Sequence, residues 1–142
     1  MKNFHLDARL EGDTIALGES PLCLYRLMDD ARWPWVILVP KRGGVTEIHD
    51  LDDADHDTLC RESRTVARAM AEAFAADAMN VAKLGNVVAQ LHLHHVVRHR
   101  NDPAWPGPVW GVGQRVPYDD RERAEIAARL SRCLDPLVVN GQ

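Results

Sequence analysis

The 142-residue sequence predicts an α+β domain with an antiparallel sheet of about five strands, one long helix and a C-terminal helix. Short apolar runs separated by turn residues fill residues 14–40, a helical period follows in residues 51–78, and a second helical period closes the chain. A chain of this length closes one hydrophobic core but not two. We therefore expect residues 1–142 to form a single domain.

The first three strands are expected to form an antiparallel meander. The runs "TIAL" and "PLCLYRLM" are separated by "GES", which is typical of a turn between two short strands. The run "PWVILVPK" is continuously apolar, rich in β-branched residues and bounded by prolines. This pattern predicts a strand that is buried on both faces.

Two segments have the apolar spacing of amphipathic helices. The longer one extends from Leu51 to Ala78, and its acidic start, "DLDDADHD", supplies capping carboxylates at the positive end of the helix dipole. Its apolar positions are Leu59, Val66, Met70 and Phe74. The second helix is predicted in "DDRERAEIAARLSRCLD", starting at Asp119 or Asp120, with one apolar face made by Ile126, Leu130 and Leu134.

The composition predicts a soluble protein of the cytoplasm. The longest apolar run, "WPWVILVP", is far shorter than the roughly 20 residues that span a bilayer, and the charged N-terminus does not resemble a signal peptide. The odd number of cysteines, Cys23, Cys60 and Cys133, favours a reducing compartment. A net charge of −4 argues against a nucleic-acid partner.

Four of the seven histidines lie in the stretch "AQLHLHHVVRHR". We predict two strands around a turn at residues 84–86, with the histidines on the second strand. Alternation along that strand places Gln90, His92 and His94 on one face. His95 then lies on the opposite, apolar face, where we expect a buried imidazole bonded to a carbonyl group.

The polar face of this strand is suited to a phosphate or to a metal ion. Two imidazoles at positions i and i+2 can act together on a phosphate or chelate a metal. The turn at Gly85 and Asn86 offers backbone amides to an anion, and Arg98 is placed to hold a phosphate. A metal shell needs further ligands that are distant in sequence, such as His49, His56 or Asp29. The neighbourhood thus favours a phosphate site.

The segment "QLHLHHVVR" resembles the signature of the histidine triad (HIT) family, His-φ-His-φ-His-φ-φ, where φ is apolar. Gln90, His92 and His94 match the three triad positions, while His95 occupies an apolar one. The strand "WVILVPK" and the long helix are also similar to the family, so the resemblance covers residues 14–100. The glutamine resembles that of a bacterial branch which continues into "DPAWPGPVWG", and residues 101–142 form a C-terminal loop and helix.

The resemblance implies an enzyme, a nucleotidyl hydrolase or transferase that acts on phosphoester, phosphoanhydride or phosphoramidate bonds. His92 would attack phosphorus and form a covalent nucleotidyl intermediate. His94 would hydrogen-bond to a phosphoryl or leaving-group oxygen, and Gln90 would donate and accept hydrogen bonds without titrating. No metal and no cofactor are required in this scheme.

The resemblance also implies a nucleotide or nucleotide conjugate as ligand and a homodimer in which two sheets join. The residues expected to bind substrate are Asn80, Gly85, Asn86, Val87, Arg98 and, for the ribose, Asp29. We expect the tail "NDPAWPGPVWG" to lie against a surface and to reach toward the partner's site. The alternatives are a nucleotide-binding protein without turnover and a metal-binding module built on His92 and His94.

Overall fold

The computed structural model describes residues 3–138 as an open antiparallel sheet with helices packed on it. The five strands are β1 Thr14–Glu19, β2 Cys23–Met28, β3 Trp35–Pro40, β4 Ala78–Ala82 and β5 Leu93–Arg98, in the spatial order β1-β2-β3-β5-β4. The helices are α1 Ala8–Asp13, a short 3₁₀ helix Ile48–Asp50, α2 Asp53–Ala73 and α3 Asp120–Leu134. The predicted α+β class and the meander of the first three strands are confirmed.

The central strand β3 is buried along its whole length, as its continuous apolar run predicts. Val36 and Leu38 face the core formed with α2 and α3. Trp35, Ile37 and Val39 face a second apolar cluster on the other side of the sheet. Because both faces are covered, the residues of β3 are continuously apolar and do not alternate between apolar and polar as in a half-exposed strand.

Helix α2 begins where the acidic run predicts, and it ends earlier than the apolar pattern indicates. The Asp52 side chain accepts a hydrogen bond from the backbone N–H of Asp55 at 2.8 Å, which caps the helix. The helix stops at Ala73, because Ala75 takes a φ of +48° and the chain turns into β4 at Ala78. The predicted end at Ala78 is therefore wrong by five residues.

Helix α3 starts as predicted. Asp119 is its N-cap, and the side chains and backbone N–H groups of Asp119 and Glu122 form a reciprocal capping box. Leu130 and Leu134 are buried in the core shared with α2, and Ile126 packs at its margin. The predicted apolar face of this helix is thereby confirmed.

The connection between β4 and β5 differs from the predicted hairpin. Residues 83–92 form an irregular loop, and β5 begins only at Leu93, where pairing with Leu38 of β3 starts. Before that point, the backbone N–H of Leu91 donates to the carbonyl group of Val45 instead of to a neighbouring strand. Gln90 therefore lies outside the strand, and the strand face that we expected it to share with the histidines does not exist.

In the stretch from residue 3 to residue 138, none of the helices combines the length and the apolar character that crossing a bilayer requires.

His95 is fully buried between β5 and α2, as its place on the apolar face predicts. Its Nε2 lies 2.8 Å from the hydroxyl oxygen of Ser63, so its partner is a hydroxyl group and not the expected carbonyl. Burial lowers the pKa of His95 from 6.5 to about 4. The imidazole is therefore neutral in the folded protein under ordinary conditions.

We expect the free energy of unfolding to fall as the pH drops from about 6.5 to about 4, since in this range the unfolded state protonates His95 and the folded state does not. One proton taken up by the unfolded state alone changes the free energy of unfolding by about 1.4 kcal/mol per pH unit. His95→Gln removes this titration, so its curve from urea denaturation should be shallower than that of the wild type. Parallel curves would show that His95 takes up protons equally in both states.

Candidate active site

A pocket of about 540 Å³ opens between the loop 83–92, helix α1 and the C-terminal tail. This volume is typical of a small-molecule site. The loop contributes residues 84–88, α1 contributes Arg9, Leu10 and Asp13, the tail contributes Trp110 and Gly111, and the sheet side contributes Met28, His92 and His94. Two of the predicted catalytic residues and three of the predicted substrate-binding residues thus meet in one cavity.

The hydrogen bond of His92 determines which ring nitrogen is free. Its Nδ1 lies 2.7 Å from the carbonyl oxygen of Gln90. A carbonyl oxygen only accepts, so Nδ1 carries the proton and Nε2 keeps its lone pair. Nε2 makes no hydrogen bond to any residue between positions 3 and 138. His92 therefore presents the tautomer that a nucleophile requires.

His94 has the opposite tautomer. The indole Nε1 of Trp35 lies 3.0 Å from Nδ1 of His94, and an indole N–H only donates. Nδ1 is thus the acceptor and Nε2 carries the proton. Burial, reinforced by the neighbouring His92 and His95, lowers the pKa of His94 from 6.5 to about 3. His94 is therefore a neutral hydrogen-bond donor at physiological pH.

The two rings form one functional unit. Their centroids are 4.9 Å apart with an angle of 71° between the ring planes, and both side chains are largely buried. His92 offers an unprotonated nitrogen, while His94 offers an N–H group. Such a pair can attack an electrophilic centre and hydrogen-bond to an oxygen attached to it.

The loop beside the histidines carries Gly85, Asn86 and Val87, which were predicted to bind substrate and which all line the pocket. Gly85 adopts a φ of +80°, which favours glycine. A Cβ atom at this position would lie 2.8 Å from Nζ of Lys83, which is paired with Glu47 at 2.6 Å. The glycine therefore allows both the turn and the ion pair beside it.

The tail folds back onto the pocket of its own chain. Trp110 packs edge-on against Trp35, with ring centroids 5.9 Å apart, and against His94 at 5.2 Å. Trp105 lies close to the guanidinium group of Arg98. The surface against which this tail lies is thus the sheet of the same chain, and its reach toward a partner's site stays a prediction.

Arg98 and Asn80, which were predicted to bind substrate, do not line the pocket. Arg98 is buried and makes two hydrogen bonds to Asp102, one to Asn80 at 2.7 Å and one to the carbonyl oxygen of Gly107. The Arg98 guanidinium holds the pKa of the Asp102 carboxyl well below its usual range. These contacts anchor the tail to the sheet and engage Nε, Nη1 and Nη2 of the guanidinium group inside the fold.

Asp29 is also absent from the pocket. Its carboxylate accepts a hydrogen bond from the backbone N–H of Tyr118 at 2.9 Å, and its own N–H donates to the carbonyl group of Asp13. The carboxylate that does line the pocket belongs to Asp13, at the end of α1. Asp29, which was predicted to contact the ribose, thus lies outside the pocket, and Asp13 lies in its wall.

Gln90 faces the N-terminal segment, residues 3–13, and does not line the pocket. Its Oε1 accepts from the backbone N–H of Asp7 at 2.9 Å, and its Nε2 donates to the carbonyl oxygen of His5 at 2.7 Å. Both ends of the amide are thus occupied. The prediction that Gln90 stands beside the histidines in the site is corrected, because the chain bends before β5.

Sequence reasoning missed Arg9 and Asp13, which both line the pocket from α1. This helix has only six residues, too few for a helical period to be recognised. The one local signal is Asp7, whose side chain accepts from the backbone N–H of Arg9 at 2.8 Å as an N-cap.

The alternative of a metal site lacks a third ligand in the described part of the chain. Between residues 3 and 138, no group of three or more histidine, cysteine, aspartate or glutamate side chains is placed to hold a metal ion. His49 and His56, considered as distant ligands, are instead near Asp50 and Asp57. Neither lines the pocket.

A profile of the HIT domain family matches residues 9–101. The structure is similar to that of a histidine triad protein from Marinobacter aquaeolei VT8, with 50% sequence identity and a TM-score of 0.94 over 96% of this chain and 99% of that chain. A histidine triad (HIT) protein from Sinorhizobium meliloti 1021 is 45% identical, with a TM-score of 0.90 over 92% and 97% of the two chains. One from Bradyrhizobium japonicum is 42% identical, with a TM-score of 0.89 and the same coverage. The comparison with curated proteins gives no match.

We expect long-range ¹H–¹⁵N NMR spectra near neutral pH to show His92 protonated on Nδ1 and His94 protonated on Nε2. Trp35→Phe removes the indole donor, so His94 should then populate the Nδ1–H tautomer as well. Trp33→Phe is the matched control, because the Trp33 indole makes no hydrogen bond within residues 3–138. A wild-type His94 already protonated on Nδ1 would contradict the assignment.

Proposed function

Because the chain belongs to the HIT domain family, we propose that it is a nucleotidyl hydrolase or transferase in which His92 is the nucleophile. We also propose that it represents a branch of the family with glutamine at the first triad position. The observation that carries the proposal is the opposite tautomers of His92 and His94 on one wall of a nucleotide-sized pocket.

In the first step, Nε2 of His92 attacks the phosphorus atom that bears the nucleoside. A nitrogen–phosphorus bond forms, and the bond from phosphorus to the leaving group breaks. The carbonyl group of Gln90, 2.7 Å from Nδ1, stabilises the positive charge that develops on the imidazole ring. The Nε2–H group of His94 hydrogen-bonds to a phosphoryl oxygen.

In the second step, water or another acceptor attacks the same phosphorus atom. The nitrogen–phosphorus bond breaks and returns His92 to its neutral state, while the proton of the acceptor passes to solvent. Asn86 and Val87 line the pocket, and their backbone N–H groups are proposed to support the charge on the equatorial oxygens.

The sugar is expected to contact α1. Asp13 is the carboxylate that lines the pocket, and a carboxylate accepts hydrogen bonds from neighbouring hydroxyl groups. We therefore assign to Asp13 the ribose contact that the family resemblance suggested for Asp29. Leu10 and Met28, on the same side of the pocket, supply an apolar surface for the nucleoside.

His92→Ala and His92→Asn should lower the hydrolysis of nucleotide substrates by several orders of magnitude, since the lone pair of the other imidazole in the pocket, on Nδ1 of His94, is engaged by the Trp35 indole. Mass spectrometry of rapidly quenched wild-type enzyme at alkaline pH should detect a nucleotidyl group on His92. His49→Ala is the control, because His49 is exposed and remote. Binding of nucleotide without turnover or adduct would instead establish the alternative, a non-catalytic nucleotide-binding protein.

We further propose that two copies associate through β4. This strand lies at the edge of the sheet, and of the strands within residues 3–138 it alone has no buried residue. Val81 is 45% exposed and Leu84 is 37% exposed beside it. An uncovered edge strand offers its free backbone groups to another strand. A two-fold pairing of β4 with β4 extends one sheet into the other.

Val81→Arg should shift the protein from dimer to monomer in sedimentation velocity at micromolar concentration, because a long charged side chain on an edge strand opposes its pairing with another strand. The matched control is Val116→Arg, since Val116 is comparably exposed, at 49%, but lies in the C-terminal loop. A wild type that sediments as a monomer would remove the proposal. An unaffected dimer in Val81→Arg would place the interface elsewhere.

A further inference from the structure

Gln90 binds the N-terminal segment with both ends of its side chain. The amide oxygen accepts from the N–H of Asp7 at 2.9 Å, and the amide nitrogen donates to the carbonyl group of His5 at 2.7 Å. A carboxamide carries a donor and an acceptor side by side, whereas the two nitrogens of an imidazole point in divergent directions. The residue at the first triad position is thus chemically suited to hold a backbone segment.

The segment held by Gln90 forms one wall of the pocket. Helix α1 begins directly after Asp7, its N-cap, and Leu10 is buried in the apolar cluster around Trp33 and Trp35. These two attachments orient α1 so that Arg9 lines the cavity that also contains the histidines.

Arg9 is the only lysine or arginine that lines this pocket within residues 3–138. Its side chain is exposed, and in this part of the chain it takes part in no ion pair and no side-chain hydrogen bond. A guanidinium group binds phosphate through two parallel hydrogen bonds. Arg9 is therefore available for an anionic part of the ligand.

His94 supplies a hydrogen bond but no proton to a leaving group, because its Nδ1 lone pair accepts from the Trp35 indole and burial lowers the pKa of the ring to about 3, which keeps it neutral. Gln90 lies outside the pocket, and an amide does not titrate. An amine or alkoxide needs a proton in order to depart, whereas the oxygen of a phosphate departs as a stable anion. The site is consequently suited to a leaving group that carries its own negative charge.

Building on the function proposed above, we propose that Gln90 is a positioning residue that holds the N-terminal segment so that Arg9 binds the phosphate of the leaving group. The substrate class is then a nucleoside phosphoanhydride. Nε2 of His92 forms the bond to phosphorus, and the phosphorus–oxygen bond to the leaving phosphate breaks. The electron pair stays on the departing oxygen, Arg9 neutralises its charge, and no proton is transferred in this step.

The kinetic test compares diadenosine triphosphate, whose leaving group is ADP, with adenosine 5′-phosphoramidate, whose leaving group is ammonia. In Arg9→Met, the ratio of kcat/KM for the anhydride to that for the phosphoramidate should fall about 10- to 100-fold, the loss of one charge-assisted interaction. Arg64→Met is the matched control. It removes the same positive charge from an exposed position on α2, which does not line the pocket. An equal loss on both substrates, or none, would overturn the role of Arg9.

Gln90→Leu tests the positioning role. It keeps the approximate size of the side chain and removes both hydrogen bonds. Like Arg9→Met, it should therefore lower the ratio of kcat/KM for the anhydride to that for the phosphoramidate. The double variant should show little further change, because Gln90 acts through Arg9. Additive losses, or a loss on both substrates alike, would overturn the link between the two residues.

A binding measurement separates this inference from the catalytic proposal. Trp35 and Trp110 adjoin His94, so their fluorescence reports nucleotide binding without turnover. Wild type should bind ADP more tightly than AMP, and Arg9→Met should lose that difference. If no substrate is turned over but Arg9→Met still loses the difference in affinity between ADP and AMP, only the catalytic proposal fails. A difference that persists in Arg9→Met refutes the contact between Arg9 and the second phosphate.

Discussion

The hydrogen bond from the Trp35 indole to His94 joins the centre of the sheet to the chemistry of the pocket. Ile37 of β3 is paired with His94 of β5, and Trp35 is two residues before Ile37, so indole and imidazole lie on the same face. This bond holds His94 as an Nε2–H donor, and burial keeps it neutral. An indole left without an acceptor in this position would cost about 1–3 kcal/mol. The same contact therefore contributes to the stability of the fold and sets the tautomer of a histidine that lines the pocket.

A buried ion pair extends this arrangement to the C-terminal tail. The side chains of Arg98 and Asp102 are 2% and 5% exposed, and such a pair is tolerated only when its hydrogen bonds are complete. Asp102 also accepts from the backbone N–H groups of Ala104 and Trp105, so the pair fixes the turn that starts the tail. The tail then brings Trp110 against His94. The pocket wall thus depends on a polar cluster that lies outside the pocket.

Local patterns in the sequence were sufficient for the first three strands, for the starts of the two long helices and for the two histidines of the site. The run "WVILVP" predicted a two-faced strand because burial on both sides requires continuous apolar residues, and Asp119 predicted a helix start because its carboxylate caps free N–H groups. His92 and His94 are close in sequence, so any extended backbone keeps them near each other. Each of these predictions depends on neighbours within a few positions.

The roles of Gln90, Arg98 and Arg9 were decided only by the tertiary structure. Gln90 meets Asp7, 83 positions away, and Arg98 meets Asn80, 18 positions away. The sequence shows that an amide or a guanidinium is present, but its partner is chosen by the packing of distant segments, because a buried polar group must take whichever donor or acceptor the fold brings to it. Some residues of the site, His92 and His94, could thus be predicted from the sequence, and others, such as Arg9, could not. Which polar groups are engaged inside the fold and which remain free for a ligand was determined by three-dimensional packing alone.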